Sequence, residues 1–153
     1  MHRFWQILGI IAFWVSFPLL IPYLNRSERT RIAIMSGQKM VVVKGWLGTG
    51  KWGLPGGGLH RGEAPLDGLL REVTEETGIH LAASQVHPIV TEPYRYHGVH
   101  FPCHYYVIKV SDLLPLQGQQ YEIVDIAWME QKRLTPKNSN LDVLRMLQLL
   151  HET

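Results

Sequence analysis

Three glutamates fall within five positions, Glu72, Glu75 and Glu76, directly after Arg71, and Glu63 lies upstream, beyond the run Gly56-Gly57-Gly58. Carboxylate oxygens at this density are hard ligands, suited to Mg2+ or Mn2+ rather than zinc. On a helix Glu72 and Glu76 stand about 40° apart. Like charges at that i, i+4 spacing repel by about a few tenths of a kcal/mol. A cation between them relieves the repulsion, so the pair reads as a metal site. Arg71 and Glu75 share the same spacing, which puts a guanidinium where it can fix one carboxylate.

These side chains need a helix and a tight loop to gather them. Pro65 in the first turn, Leu66, Leu69, Leu70 and Val73 at i, i+3, i+4 and i+7, and Gly78 as terminator predict a helix over 65–77. Glu72 and Glu76 lie beside the stripe centred on Val73, so they face a groove at the edge of the core. The glycine-rich stretch 45–62 reads as a loop around a short strand that allows close backbone approach to a ligand. Gly56, Gly57 and Gly58 are therefore candidate substrate-binding positions, and their path brings Glu63 toward the same cluster. Around this unit, 31–35 and 39–43 read as a hairpin about Ser36-Gly37, with further strands near 86–92, 103–110 and 122–129. A last helix near 139–151 carries Leu141, Leu144 and Leu147 on one face. The pattern predicts an α/β or α+β sandwich with a mixed sheet.

Gly57, five residues, Glu63, seven residues, then Arg71-Glu72-Val73-Thr74-Glu75-Glu76-Thr77-Gly78-Ile79 satisfies every specified position of G-x5-E-x7-R-E-U-x-E-E-x-G-U, with U an apolar aliphatic residue. At these residues the sequence resembles the Nudix hydrolase family, and more loosely the likeness runs over residues 30–150. The resemblance implies an α/β/α sandwich and a Mg2+-dependent pyrophosphohydrolase acting on a nucleoside diphosphate linked to a group X. X could be the rest of a nucleoside triphosphate, of ADP-ribose, of a dinucleoside polyphosphate or of a similar compound. It also implies Glu72, Glu75 and Glu76 as metal ligands, with Glu76 foremost, Glu63 as support for the metal cluster and Arg71 as the group that orients a carboxylate. The general base varies among subfamilies, and Glu72 and Glu122 are the candidates here. Two subfamily cues disagree. Pro93 lies 14 positions after Ile79, close to the spacing of ADP-ribose hydrolases, and Tyr96 lies 17 after it, as in dinucleoside polyphosphate hydrolases.

Residues 4–24 contain no charged side chain, although 18% of the 153-residue chain is charged. As a helix they would extend roughly 30 Å, the hydrocarbon thickness of a bilayer. They read as a single transmembrane helix, so residues 1–25 are expected to be a membrane anchor and 26–153 the catalytic domain. An anchor of this kind should be dispensable for folding. Arg26, Arg29 and Arg31 outnumber Arg3 across the segment, which favours a cytoplasmic catalytic domain. A net charge of +2 gives no electrostatic footprint for a nucleic-acid partner, and the single Cys103 precludes an internal disulfide.

Other residues carry weaker signals. Tyr94, Arg95, Tyr96 and His97 suggest a substrate-contacting loop, because aromatic faces stack bases and arginine pairs phosphate. In an extended strand His100 and His104 share a face, whereas Cys103 and His97 point the other way, which argues against zinc. Trp46 and Trp52 read as packing rather than base stacking. Two rival functions remain open: a module that senses a nucleotide or ADP-ribose without cleaving it, and a hydrolase of lipid or prenyl diphosphates at a bilayer.

Overall fold

The computed structural model describes residues 2–118 and 123–152, with side chains from residue 7 onward. In chain order come α1 (His2–Leu24), β1 (Arg29–Ser36), β2 (Lys39–Gly45), α2 (Pro65–Thr77), β3 (His87–Tyr96), β4 (Val99–Lys109), β5 (Ile123–Glu130) and α3 (Leu141–Glu152). The strands form one sheet in the order β3-β4-β1-β2-β5. The β1/β4 pair is parallel and the other three are antiparallel, so the sheet is mixed.

β1 and β2 read as nearly unbroken apolar runs because both faces of the sheet are covered. Ile32, Ile34 and Val41 pack with Leu69 and Val73 of α2. Ala33, Met35, Met40 and Val42 pack with Val143, Met146 and Leu149 of α3. The result is the expected α/β/α sandwich. Helix α2 has the expected bounds: Pro65 opens it, and the left-handed Gly78 closes it by donating its N–H to the Thr74 carbonyl at 2.9 Å.

The glycine-rich stretch does more than loop. β1 and β2 are paired at Met35–Met40 and Ser36–Lys39 and splay beyond, and the segment 53–58 fills the gap. Gly53 exchanges hydrogen bonds with Val43 of β2, at 2.8 and 3.0 Å. Along β1, the Ile32 amide donates to the Pro55 carbonyl and the Thr30 amide to the Gly57 carbonyl. The wedge thus satisfies the backbone of β1 where no full strand reaches it, and it lays Gly56–Gly58 beside α2.

One expectation needs correction. Tyr94, Arg95 and Tyr96 are not in a loop: they complete β3, and only His97 and Gly98 turn, with φ of 44° and 84°. A two-residue turn with both φ positive matches the twist of the flanking strands. Helix α1, expected as an anchor, packs one face on the domain. Phe17 is buried with the α3-side core, and Phe13, Ile21 and Leu24 pack against it. The opposite face, Ile7, Ile11, Val15 and Leu19, is exposed.

Candidate active site

Glu72 and Glu76 of α2 and Gly56–Gly58 of the wedge line one cavity of about 340 Å³, together with Arg29 and Arg31 of β1. The wedge locks onto the helix: the Gly56 amide donates to Glu76 Oε2 at 2.8 Å. At Gly57 a Cβ would fall inside the contact radius of the Glu72 carboxylate. Only a residue without a side chain lets the backbone pass that close.

Arg71 clamps the carboxylates from outside the cavity. Its Nε and Nη2 donate to the two oxygens of Glu63, each at 2.9 Å, its Nη1 donates to Glu72 Oε1 at 2.8 Å, and Nη2 also reaches the Gly58 carbonyl. The expected Arg71–Glu75 pair is the weak member, at 3.5 Å. The paired fork holds the Glu63 carboxyl down to about 2, chiefly through the Arg71 hydrogen bonds, with the His60 amide adding to them. The same bonds hold the Arg71 guanidinium above its ordinary range.

Among the sequence candidates, the structure therefore brings Glu72, Glu76, Gly56, Gly57 and Gly58 together. Glu63 is committed to Arg71 and, like the half-exposed Glu75, does not line the cavity. Arg95 is exposed at the β3–β4 turn and lines a separate hollow there. Its neighbours Tyr94 and Tyr96, alternating to the other face, line a second cavity beside the first. Glu122 lies outside the described residues. Pro93 is exposed on the edge strand. His104 bonds Glu28 at 3.0 Å and Thr91 at 2.9 Å, while Cys103 is buried on the opposite face, with burial pushing its thiol up to about 11. Trp52 is buried in the core.

Sequence reasoning missed Arg29, Arg31 and Asp142. Arg31 donates to Asp142 Oδ2 at 3.0 Å and to the carbonyls of Thr30 and Gly56. Burial opposes its charge, but Asp142 more than restores it, so the guanidinium stays protonated above its usual range. Asp142 also accepts from the Leu54 and Val143 amides, which fixes it at the start of α3. Arg29 lacks such a partner: its Nε is buried without a hydrogen bond among the described residues. Burial first, then the like charge of Arg31, lowers its pKa. The alternation of Arg29 and Arg31 along one strand face was the available signal.

Among the described residues no group of three His, Cys, Asp or Glu side chains forms a ready-made metal cage. The donor set nonetheless fits Mg2+, which is commonly held by one or two carboxylates completed by water and substrate phosphate oxygens. Glu72 and Glu76 are the two carboxylates that line the cavity.

The comparisons agree with this geometry. Over 54 residues the chain is 43% identical to mRNA decapping complex subunit 2 of Schizosaccharomyces pombe, a stretch covering 35% of this chain; the chain spans only 7% of the length of that curated relative. The MutT NUDIX hydrolase of Burkholderia pseudomallei superposes with a TM-score of 0.69 at 20% identity, covering 81% of this chain and 97% of that one. The NUDIX domain of Shewanella oneidensis NrtR, solved with ADP ribose, gives 0.68 at 20% identity, covering 82% and 86%. These structures share the fold. A family model for the NUDIX domain matches residues 26–150, which include the complete signature, the wedge and the strand β1 with the cavity's arginines, and the chain belongs to that family.

Proposed function

We propose that the chain is a Mg2+-dependent hydrolase that cleaves the diphosphate linkage of a nucleoside diphosphate joined to a group X. The observation that carries this reading is the division of charge across one cavity: Glu72 and Glu76 on the α2 side, Arg29 and Arg31 on the β1 side. A diphosphate needs both, cations to hold its oxygens and carboxylates to hold its metal. When bound, Mg2+ supplies Lewis-acid stabilisation of the phosphate charge and lowers the pKa of a coordinated water. The residues do the rest. Glu76, fixed by the Gly56 amide, and Glu72, fixed by Arg71, hold their carboxylates in place without rearrangement. Glu72 is the candidate base among the described residues.

The test is product analysis on the full chain with Mg2+ and a panel of nucleoside triphosphates, ADP-ribose, dinucleoside polyphosphates, nucleotide sugars and prenyl diphosphates, beside Glu76→Gln. Cleavage lost by about 10²-fold or more in the variant supports the assignment. Binding without cleavage would favour a sensor instead.

We also propose that residues 1–25 attach the domain, residues 26–153, to a membrane. Ile7–Leu24 has a mean hydropathy of 2.1. The inner face of α1 is occupied by the domain, so in the docked arrangement the outer face makes the attachment, and a full span requires α1 to leave the domain. Arg29 and Arg31 serve the cavity, and with them set aside Arg26 only balances Arg3, so the orientation rests on whether those two strand arginines count as flanking charge. Carbonate extraction of membranes separates the two arrangements: release indicates surface attachment, and retention a span.

A further inference from the structure

A second cavity, of about 290 Å³, adjoins the carboxylate cavity and shares Arg29, Arg31, Thr49, Lys51, Asn140 and Asp142 with it. Leu141 and Leu144 of α3 line part of it, and its aromatic walls come from two unconnected parts of the chain. Phe13, Phe17 and Leu24 of α1 form one, and Tyr94, Tyr96 and Phe101 of the β3–β4 hairpin form the other. The Phe17 and Tyr96 rings meet edge to face, with centroids 6.2 Å apart, and Tyr94 stacks on Phe101 at 5.0 Å. The helix that closes the cavity is seated closely. A Cβ at Gly9 would collide with the Trp46 carbonyl, so α1 approaches the glycine-rich stretch as nearly as a helix can.

Three of the polar side chains around this cavity are committed. Thr49 donates to Asn140 Oδ1 at 2.6 Å, Lys51 Nζ donates to the Pro136 carbonyl at 2.8 Å, and Asp142 holds Arg31. A hydroxyl-rich group entering here would lose water and find few partners. An apolar or flat aromatic group would lose nothing comparable and would gain contact with the ring walls. At the seam between the two cavities stands Arg29, its Cζ 5.5 Å from the centre of the Phe101 ring and its Nε buried without an acceptor among the described residues. A buried guanidinium donor without a partner calls for an oxygen anion.

We infer that α1 is a working part of the binding site: Phe13, Phe17 and Leu24 close a pocket for an X group with an apolar face, and Arg29 at its mouth takes the adjoining phosphate. This rests on the diphosphate reading above and sharpens it, since it selects a nucleobase-like or isoprenoid X over a sugar.

The test uses the full chain in lipid nanodiscs and four diphosphate monoesters: phenyl, geranyl, methyl and ribose 5-diphosphate. Binding is measured by calorimetry with Ca2+ and turnover in parallel with Mg2+. Phenyl or geranyl diphosphate should bind at least about tenfold tighter than the methyl and ribose compounds, and the better of the two identifies the source of X. Phe13→Ala should erase most of that preference, while Arg29→Gln should weaken all four by about the same factor. Phe13 is only half-buried, so this variant tests the wall even if Phe17→Ala fails to fold. Equal binding of all four compounds, no binding of any, or a preference untouched by Phe13→Ala would overturn the inference. The preference without turnover would leave the pocket standing, and the hydrolase reading is decided separately by the nucleotide panel and Glu76→Gln.

Discussion

Arg71 and Glu63 meet through two parallel hydrogen bonds, Nε to Oε1 and Nη2 to Oε2, both 2.9 Å long. The two residues are eight positions apart and belong to different elements, so this fork fastens the end of the glycine-rich stretch to α2. Its remaining nitrogen holds Glu72. The order that Glu72 needs is thus built outside the cavity, by a pair that does not line it.

That pair makes stability depend on acid. The Glu63 carboxyl lies at about 2 in the folded chain against an ordinary 4.5. A lowered folded pKa contributes stability that is complete above the unfolded value and is lost as pH falls from about 4.5 through about 2. Thermal melts of the metal-free protein should show this loss, and Glu63→Gln should flatten that part of the profile. An unchanged acid limb in the variant would assign the loss to other carboxylates.

Gly57→Ala should damage activity far more than folding. The added methyl displaces the Glu72 carboxylate, and a misplacement of about 1 Å can cost about 10²-fold in rate. The expected outcome is a near-native circular dichroism spectrum with a large loss of turnover. Turnover within a factor of two of the parent would show that Glu72 tolerates the shift.

Asp142→Asn should be severely destabilising, although Asp142 belongs to no signature motif. The substitution leaves Arg31 buried without its counter-charge, a change that costs about 3–5 kcal/mol in comparable pairs. Denaturant unfolding would read it directly. A loss below about 1 kcal/mol would mean that water reaches Arg31 and replaces the carboxylate.

Removing residues 1–24 should not yield an intact soluble domain. Phe17 is 7% exposed, and truncation of a buried phenylalanine costs about 3–5 kcal/mol by itself. Its loss would also uncover the Tyr96 ring. The truncated chain should melt lower than the full chain or aggregate, and Phe17→Ala should reproduce part of the shift. A truncated domain with an unaltered melting temperature would return α1 to the role of a simple tether.

The signature segment was fully legible because each device in it acts locally: Pro65 and Gly78 set the helix ends, and the i, i+4 spacing sets the shared face of Glu72 and Glu76. The strands were legible from apolar runs, with their ends displaced by a few residues where pairing partners decide the length. What escaped was long-range. Arg29 and Arg31 count naturally as charges flanking an apolar segment, and only the parallel partner β4 and Asp142, far along the chain, turn them into cavity residues. Arg71 had three carboxylates within reach, and spacing alone favoured Glu75, because the path of the glycine-rich stretch that delivers Glu63 has no periodicity to read. Helix α1 is apolar on every side, so its sequence carries no mark of which face docks; the domain chooses that face.

The central place of β1 in the sheet sets how the whole site resists opening. Local unfolding proceeds from exposed, sparsely packed segments, and amide exchange with deuterated solvent reports the free energy of each opening. Ile32, between two covered faces and a parallel neighbour, belongs to the last unit to open, so Arg29 and Arg31 keep their posts as long as the chain is folded at all. The wedge is buried from Leu54 to Gly57 and is tied to β1, to Asp142 and to Glu76, so it opens with that unit rather than before it. The carboxylate wall and the cationic wall should therefore take up deuterium slowly together, and product has to leave through the mouth of the cavity and not by the opening of a wall.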